Sequence, residues 1–315
     1  MKIFCPINED SKIEELVKYA DEFYLSFNND DWKDQKDNFL SYHSRGFSSK
    51  ASFKNIDNVK RVIDIIKNNK KEVFLVCNAH SYSDEQLQSI EKIMSQFERE
   101  GGDGFIVSDL NILKIANKFN LKIYLSTIFA LYNISAVKAL IKRYKVDRLI
   151  LSRDVSYEEI KKFRTELNIE IECFVFLSGC RFSNGNCFCL HTENGGMCKF
   201  SLSNKWNINM DVDLYNENHD VYSNSLLNYG CGICAIYDFL EIGVNSIKIT
   251  GREFDVDFIL YVCKTIFEIR ELAAKSHSKN EFIANLNKFK LIKKLNCENG
   301  LECFYPELGK WKDNR

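Results

Sequence analysis

The sequence predicts an α/β chain closed into a TIM-like (β/α)8 barrel, and three observations predict it. Eight short β-branched and aromatic runs recur along the chain. Amphipathic stretches with apolar residues at helical spacing separate most of them. The length, 315 residues, suits one such barrel and is long for an ordinary single domain. An open doubly wound sheet is the competing arrangement. Eight units and the lack of a Gly-rich dinucleotide turn favour closure.

The predicted strands are Lys2–Cys5, Glu22–Phe27, Glu72–Asn78, Gly104–Asp109, Lys122–Thr127, Arg148–Arg153, Glu172–Phe176 and Ser246–Gly251. Most are continuous apolar runs, as expected of strands covered on both faces. Helical spacing marks Ser11–Ala20, Asn58–Lys67, Ser83–Glu100, Asn111–Phe119, Ser135–Tyr144 and Ser156–Leu167. Ser83 with Gln86, and Ser156 with Glu159, read as capping boxes, each hydroxyl and each longer side chain satisfying the other's backbone N–H. Gly101-Gly102-Asp103-Gly104 precedes the fourth strand, so it reads as a tight turn at the barrel bottom rather than a phosphate loop. Residues 1–275 form the predicted barrel, and 276–315 a helical, basic tail. In that tail, Ser278–Lys294 sets lysines around a stripe of Phe282, Ile283, Leu286 and Phe289. Such a face can pack on the barrel or meet RNA or a partner.

One connection breaks the rhythm. After Phe176, about 55 residues pass before the helical pattern near Cys234–Ile242, and loops this long are usually functional. Leaving the seventh strand, it starts at the C-terminal end of the barrel, where active sites of this architecture lie. The stretch 177–234 holds Cys180, Cys187, Cys189, Cys198, Cys231 and Cys234, six of the twelve cysteines. Glycines and other small residues beside them let backbone wrap closely round a metal centre. Four thiolates hold either zinc or a 4Fe–4S cluster. Zinc sites usually use two CxxC-like arms, and within the loop only Cys231–Cys234 has that spacing. The dispersed spacing of Cys180, Cys187, Cys198 and Cys234 is more typical of iron–sulfur, with zinc the alternative metal and Cys231 the alternative fourth ligand. Cys5, Cys77, Cys173 and Cys263 fall within strand or helix patterns and read as core. Cys297 and Cys303, in the tail, read as packing residues.

The formal net charge is −1, which gives no global attraction to nucleic acid or an anionic membrane. The N-terminus runs directly into Asn8-Glu9-Asp10, leaving no apolar stretch long enough for a signal peptide. Nothing approaches the roughly 18 apolar residues of a membrane span. The expected location is cytoplasmic, where thiols stay reduced. Neither HExxH nor GxSxG occurs, so the common metalloprotease and serine-hydrolase signatures are missing.

Several segments, taken in order, resemble the collagenase-like peptidase family, peptidase family U-32. Ala20-Asp21-Glu22-Phe23-Tyr24-Leu25 is similar to its early strand. Gly102-Asp103-Gly104-Phe105-Ile106-Val107-Ser108-Asp109-Leu110 is similar to its GADAIIVQDLG segment, and Ser126-Thr127 fits its STQ position. Leu240–Arg252 resembles its ELIEAGVDSFKIEGR segment. The resemblance implies a TIM-like barrel and a 4Fe–4S cluster on Cys180, Cys187, Cys198 and Cys234. It also implies a part in oxygen-independent hydroxylation of tRNA or of a quinone precursor. That reading brings in a small anionic oxygen donor or an RNA substrate and, as a partner, a fuller paralogous subunit. The alternatives are a peptidase and a non-catalytic metal-containing subunit. Phe176, Gly195 and Tyr124 stand where the family pattern carries histidine, arginine and histidine.

Arg153 and Arg252 end the sixth and eighth strands, at the mouth, where an arginine can pair bidentately with a carboxylate or phosphate. The competing expectation is a rim ion pair with Asp154 or Glu253. His80 follows strand three closely, and His43 and Arg45 fall in the loop after strand two, so all three are candidates to line the site. Lys248, inside strand eight, could point inward and would then need a partner.

Overall fold

The computed structural model describes residues 1–27, 42–44, 50–177, 184–186, 191–192, 195–196, 230–293, 295, 297 and 303–309. Eight parallel strands close into a ring: β1 (Lys2–Pro6), β2 (Glu22–Leu25), β3 (Glu72–Cys77), β4 (Gly104–Val107), β5 (Lys122–Leu125), β6 (Arg148–Ile150), β7 (Glu170–Phe176) and β8 (Ser246–Ile249). Each pairs with its neighbours in sequence, and β1 pairs with β8 to complete the circle. The predicted closed barrel is therefore the observed one, and all eight strands lie where their apolar runs placed them.

Helices fill the crossovers: α1 (Ile13–Leu16), α2 (Ile56–Asn68), α3 (Asp84–Arg99), α4 (Leu110–Ala116), α5 (Ile134–Ile141), α6 (Tyr157–Glu166), α7 (Ile236–Glu241) and α8 (Val256–Lys275). Both predicted capping boxes form, Ser83 with Gln86 before α3 and Ser156 with Glu159 before α6. The Gly101–Gly104 turn is also as expected. Gly101 has φ +93°, and a Cβ on Gly102 would come within 2.0 Å of the Phe97 ring. Asp103 in that turn accepts from the Val73 N–H at 2.9 Å, tying the end of α3 to β3. The tail helix is divided, α9 (Lys279–Leu286) and α10 (Lys290–Lys293). Phe282 and Leu286 of its apolar stripe are buried. Phe282 stacks on Tyr237 of α7, and Lys279 pairs with Asp238 at 2.8 Å, so this face packs on the barrel. Among the described residues, no helix is long and apolar enough to cross a membrane.

The barrel interior is charged. Strands β2 and β6 stand on opposite sides of the ring, so Arg148 of β6 can reach Glu22 of β2 only across the inside. It does so bidentately, at 2.5 and 2.9 Å, and also donates to Glu172 and Glu170 of β7, both at 2.8 Å. Arg148 and Glu172 are 0% exposed and Glu22 1%. Lys2 pairs with Glu22 at 2.7 Å and Lys248 with Glu172 at 3.1 Å, so Lys248 has the inward partner it needs. Burial lowers the Lys248 pKa to about 8 despite the opposing pull of Glu172.

Burial alone would raise Glu22, but hydrogen bonds and charge from Arg148, with help from Lys2, hold it at about 2 against an ordinary 4.5. A carboxylate with a depressed folded pKa contributes stability that is complete above its unfolded value and lost as pH falls through the folded one. A shift of this size corresponds to about 3 kcal/mol. The acid limb of the unfolding transition is therefore expected to steepen between pH 4.5 and about 2. Glu22→Gln should flatten that limb in urea titrations run at successive pH values; an unchanged limb would contradict this role for Glu22.

Candidate functional site

At the C-terminal ends of the strands, short polar side chains form a rim. Ser26, Asn78, Ser108 and Ser126 each directly follow the last residue of β2, β3, β4 and β5. Backbone emerging from a parallel strand has lost its ladder partner, and these groups take up the local hydrogen bonds. Asn78 donates to Ser126 Oγ at 3.2 Å and accepts from the Ser44 N–H at 3.2 Å. Ser26 donates to Ala51 O at 2.7 Å.

Two of the sequence candidates meet here. His43 Nε2 lies 2.7 Å from Ser52 Oγ, and Ser52 Oγ is 3.3 Å from Ser26 Oγ. Ser26 Oγ in turn accepts from Arg252 Nη1. His43 is 1% exposed and Arg252 6%. The chain His43–Ser52–Ser26–Arg252 thus fixes the guanidinium from behind, and His43 supports the rim instead of lining it. Asn8 donates to the Arg252 carbonyl at 2.7 Å, which anchors the backbone beyond β8.

Arg153 stands elsewhere on the rim, between two aromatic faces. Its guanidinium lies 3.8 Å from the Phe174 ring centre and 5.1 Å from that of Phe304, with Nη2 3.5 Å from Leu177 O. Asp154, the expected rim partner, accepts instead from Ser152 at 2.9 Å and Tyr132 at 3.3 Å. His80 is half-buried, and desolvation lowers its pKa below the usual histidine value. Arg45 lies outside the described residues.

The long cysteine-bearing connection is tied to the mouth at both ends. Near its start, Tyr132 donates to Asn184 O at 2.6 Å. Gly185, at φ +84°, comes so close to Ile128 and Ala130 that a Cβ would lie 2.7 Å from them. At its far end, Gly230–Gly232 runs antiparallel to the last residues of β7, with Leu177 N–H to Gly230 O at 3.3 Å and Gly232 N–H to Val175 O at 2.8 Å. Within it, His191–Thr192 and Gly195–Gly196 pair antiparallel. Cys180, Cys187 and Cys198 lie outside the described residues, and so does Cys189. Cys231 is buried and Cys234 half-buried; neither is in a disulfide. Among the described residues, no three His, Cys, Asp or Glu side chains already stand in a metal-ligating arrangement. Cys5, Cys77, Cys173 and Cys263 are 0% exposed, as the core reading required.

The departures from the family pattern also have structural places. Tyr124 sits inside the barrel, 4.0 Å from the Arg148 guanidinium, and donates to Glu22 at 3.2 Å. Phe176 is 0% exposed at the end of β7. Sequence reasoning missed the Arg148 cluster. Its signal was present, since Glu22 and Arg148 open otherwise apolar strands and Glu172 lies within one, and buried charges of opposite sign must find one another when the strands close.

The sequence is similar to that of known proteins over most of its length. The family model described as Peptidase family U32 matches residues 11–301. An uncharacterised protease of Methanocaldococcus jannaschii is 29% identical over 213 residues, 62% of this chain and 50% of that protein. The tRNA hydroxylation protein P1 of Bacillus subtilis is 24% identical over 239 residues, 71% of this chain and 55% of that protein. The chain thus spans about half the length of these curated relatives, 50% and 55%. A solved U32 peptidase superposes with a TM-score of 0.49 at 13% identity, over 80% of this chain and 93% of that one. With the family model covering the barrel, the rim and the cysteine connection alike, the chain belongs to peptidase family U32.

Proposed function

We propose that this chain is an iron–sulfur protein acting in oxygen-independent hydroxylation, with tRNA or a small aromatic quinone precursor as substrate. The observation that carries the reading is the cysteine connection, anchored over the barrel mouth at Asn184–Gly185 and again at Gly230–Gly232. A centre held by Cys180, Cys187, Cys198 and a fourth thiolate, Cys234 or Cys231, would face the rim of Ser26, Asn78, Ser126 and Arg252. The donor set suits a 4Fe–4S cluster in one further respect. The Ile233 N–H points at Cys231 Sγ, at 3.5 Å, and amide hydrogen bonds to sulfur stabilise ligating thiolates. The B. subtilis relative's name supports the reaction class.

When bound, the cluster supplies electron-transfer chemistry. The chain's own residues do the rest. Arg252, locked by Ser26, offers a fixed positive charge to an anionic oxygen donor. Asn78 and Ser126 present neutral donors and acceptors that can orient a hydroxyl or carbonyl without competing for charge. Phe176, fully buried at the end of β7, keeps that part of the wall apolar.

Anaerobic purification followed by visible absorption and iron, sulfide and zinc analysis tests the reading. Broad charge-transfer absorption with matched iron and sulfide is expected, and Cys180→Ser or Cys198→Ser should abolish both. A colourless protein holding only zinc would overturn the iron–sulfur assignment. The name of the M. jannaschii relative, an uncharacterised protease, suggests the second assay. Peptide cleavage that persists in the iron-free protein would favour a peptidase.

A further inference from the structure

Lys248 is the next-to-last residue of β8 and, among the described residues, the one buried lysine, at 7% exposed. Its Nζ sits 3.8 Å from the Phe4 ring centre and 3.9 Å from that of Tyr24, with Glu172 Oε1 at 3.1 Å. Glu172 pairs in register with Ser246, two residues nearer the barrel bottom, so its carboxylate approaches the amine from below. Phe4, Glu22, Arg148 and Glu172, beside and beneath the amine, are sealed from solvent. What solvent the lysine meets therefore enters from the mouth.

Arg252 stands at the rim above it. Strand β1 lies between β8 and β2, and the Arg252 side chain crosses the end of β1 to donate to Ser26 Oγ. Its guanidinium is 5.9 Å from the centre of the same Tyr24 ring that Lys248 meets. A fixed guanidinium over an amine set in an aromatic wall makes a two-point receptor. The guanidinium suits a carboxylate. The amine is a nucleophile once it sheds a proton, and desolvation favours that loss. Burial, joined by the charges of Arg148 and Arg252, brings Lys248 down to about 8, although Glu172 pulls the other way. Buried lysines poised in this way form imines with carbonyl compounds.

We infer that Lys248 is an amine nucleophile that captures a small oxo acid as an imine, with Arg252 holding the acid's carboxylate. Glu172 Oε1, already accepting from the ammonium, takes one proton and frees the nitrogen lone pair. The lone pair attacks the carbonyl carbon, and the C–O double bond opens to a carbinolamine as a second proton passes from nitrogen to oxygen. Glu172 returns its proton to that hydroxyl, the C–O bond breaks, and water leaves. Nitrogen keeps its last proton, as a protonated imine, and no electron is gained or lost. Glu172 Oε2 stays on Arg148 throughout, at 2.8 Å, which holds Oε1 toward Lys248. The site shares Arg252 with the anion-binding role proposed above but requires no cluster.

The test incubates the full chain with pyruvate or levulinate at pH 8, near the amine's own value of about 8, and traps any imine with borohydride. Intact mass spectrometry should show one reduced adduct per chain, and peptide mapping should place it on Lys248. Acetone, which lacks the carboxylate, should label far more slowly. Arg252→Gln should slow oxo-acid trapping about tenfold, the loss of one charge-assisted contact, and leave the acetone rate alone. Lys248→Arg keeps the charge and should abolish the adduct; should that variant misfold, the mapping in the unaltered chain still decides. No adduct with either oxo acid, or adducts spread over surface lysines with Lys248 unmodified, overturns the inference. Equal labelling by acetone overturns the role of Arg252 in it. Trapping at Lys248 in a protein without iron would sink the iron–sulfur reading alone, and an iron-loaded protein that traps nothing would sink this inference alone.

Discussion

Arg148→Met should lower the free energy of unfolding by about 3–5 kcal/mol, the usual cost of removing one partner from a buried ion pair. Arg148 is the shared cation of Glu22 and Glu172, which are 1% and 0% exposed. Glu170 is 35% exposed at its side chain and can turn to water. Lys2 and Lys248 each retain one contact with the orphaned carboxylates, which sets the expectation toward the lower end. The loss should be greatest near neutral pH and shrink on acidification, because protonating Glu22 removes an unpaired buried charge. Urea unfolding at pH 7 and pH 4 checks both parts. A companion variant carrying Arg148→Met, Glu22→Gln and Glu172→Gln should recover much of the loss. Equal destabilisation at both pH values would show that Arg148 matters as packing volume and not as charge.

Gly104→Ala should cost about 3 kcal/mol, the upper part of the range for overpacking a close-packed core. A Cβ there would lie 2.4 Å from the Lys122 carbonyl and 2.7 Å from the Phe74 ring. The carbonyl belongs to paired backbone of β5 and cannot move alone. The bare backbone of Gly104 lets the Phe74 ring lean across β4 and stack on Tyr124 of β5, with ring centres 4.3 Å apart. Tyr124 also covers the Arg148 guanidinium at 4.0 Å, so the methyl group would disturb the packing of the charged cluster as well. Thermal unfolding of Gly104→Ala measures the cost. A companion Phe74→Leu change should relieve part of it by withdrawing ring atoms, and a fully stable Gly104→Ala protein would contradict the close approach.

The barrel was legible because its signal is local. A run such as Val73–Cys77 between polar ends can hardly be anything but a covered strand, and Ser83 with Gln86 announces a helix start within four residues. The 20-residue helix α8 was not marked, since apolar residues run almost all round Val256–Lys275 and blur the stripe. The candidate site was legible in part. Arg252 and His43 were named separately, but the serines that link them have no periodicity and became meaningful only when β2 and β8 came together. Cys297 and Cys303 read as packing residues, and their place beside Cys231 and Cys234 around one small cavity is set by distance in space. No spacing rule reaches across more than 60 positions of sequence.

The position of Phe304 and Tyr305 has a consequence for the order of assembly. Tyr305 donates to Phe174 O at 3.0 Å, and Phe304 closes over Arg153. As the chain leaves the ribosome, the ring cannot close before β8 has emerged to meet β1. The wall beside β7 stays open for some 55 residues longer, until Cys303–Tyr305 arrives. Contacts of such sequence separation form late and slowly. Until that segment arrives, Arg153 has the Phe174 ring on one side but lacks the Phe304 ring that flanks it in the finished fold.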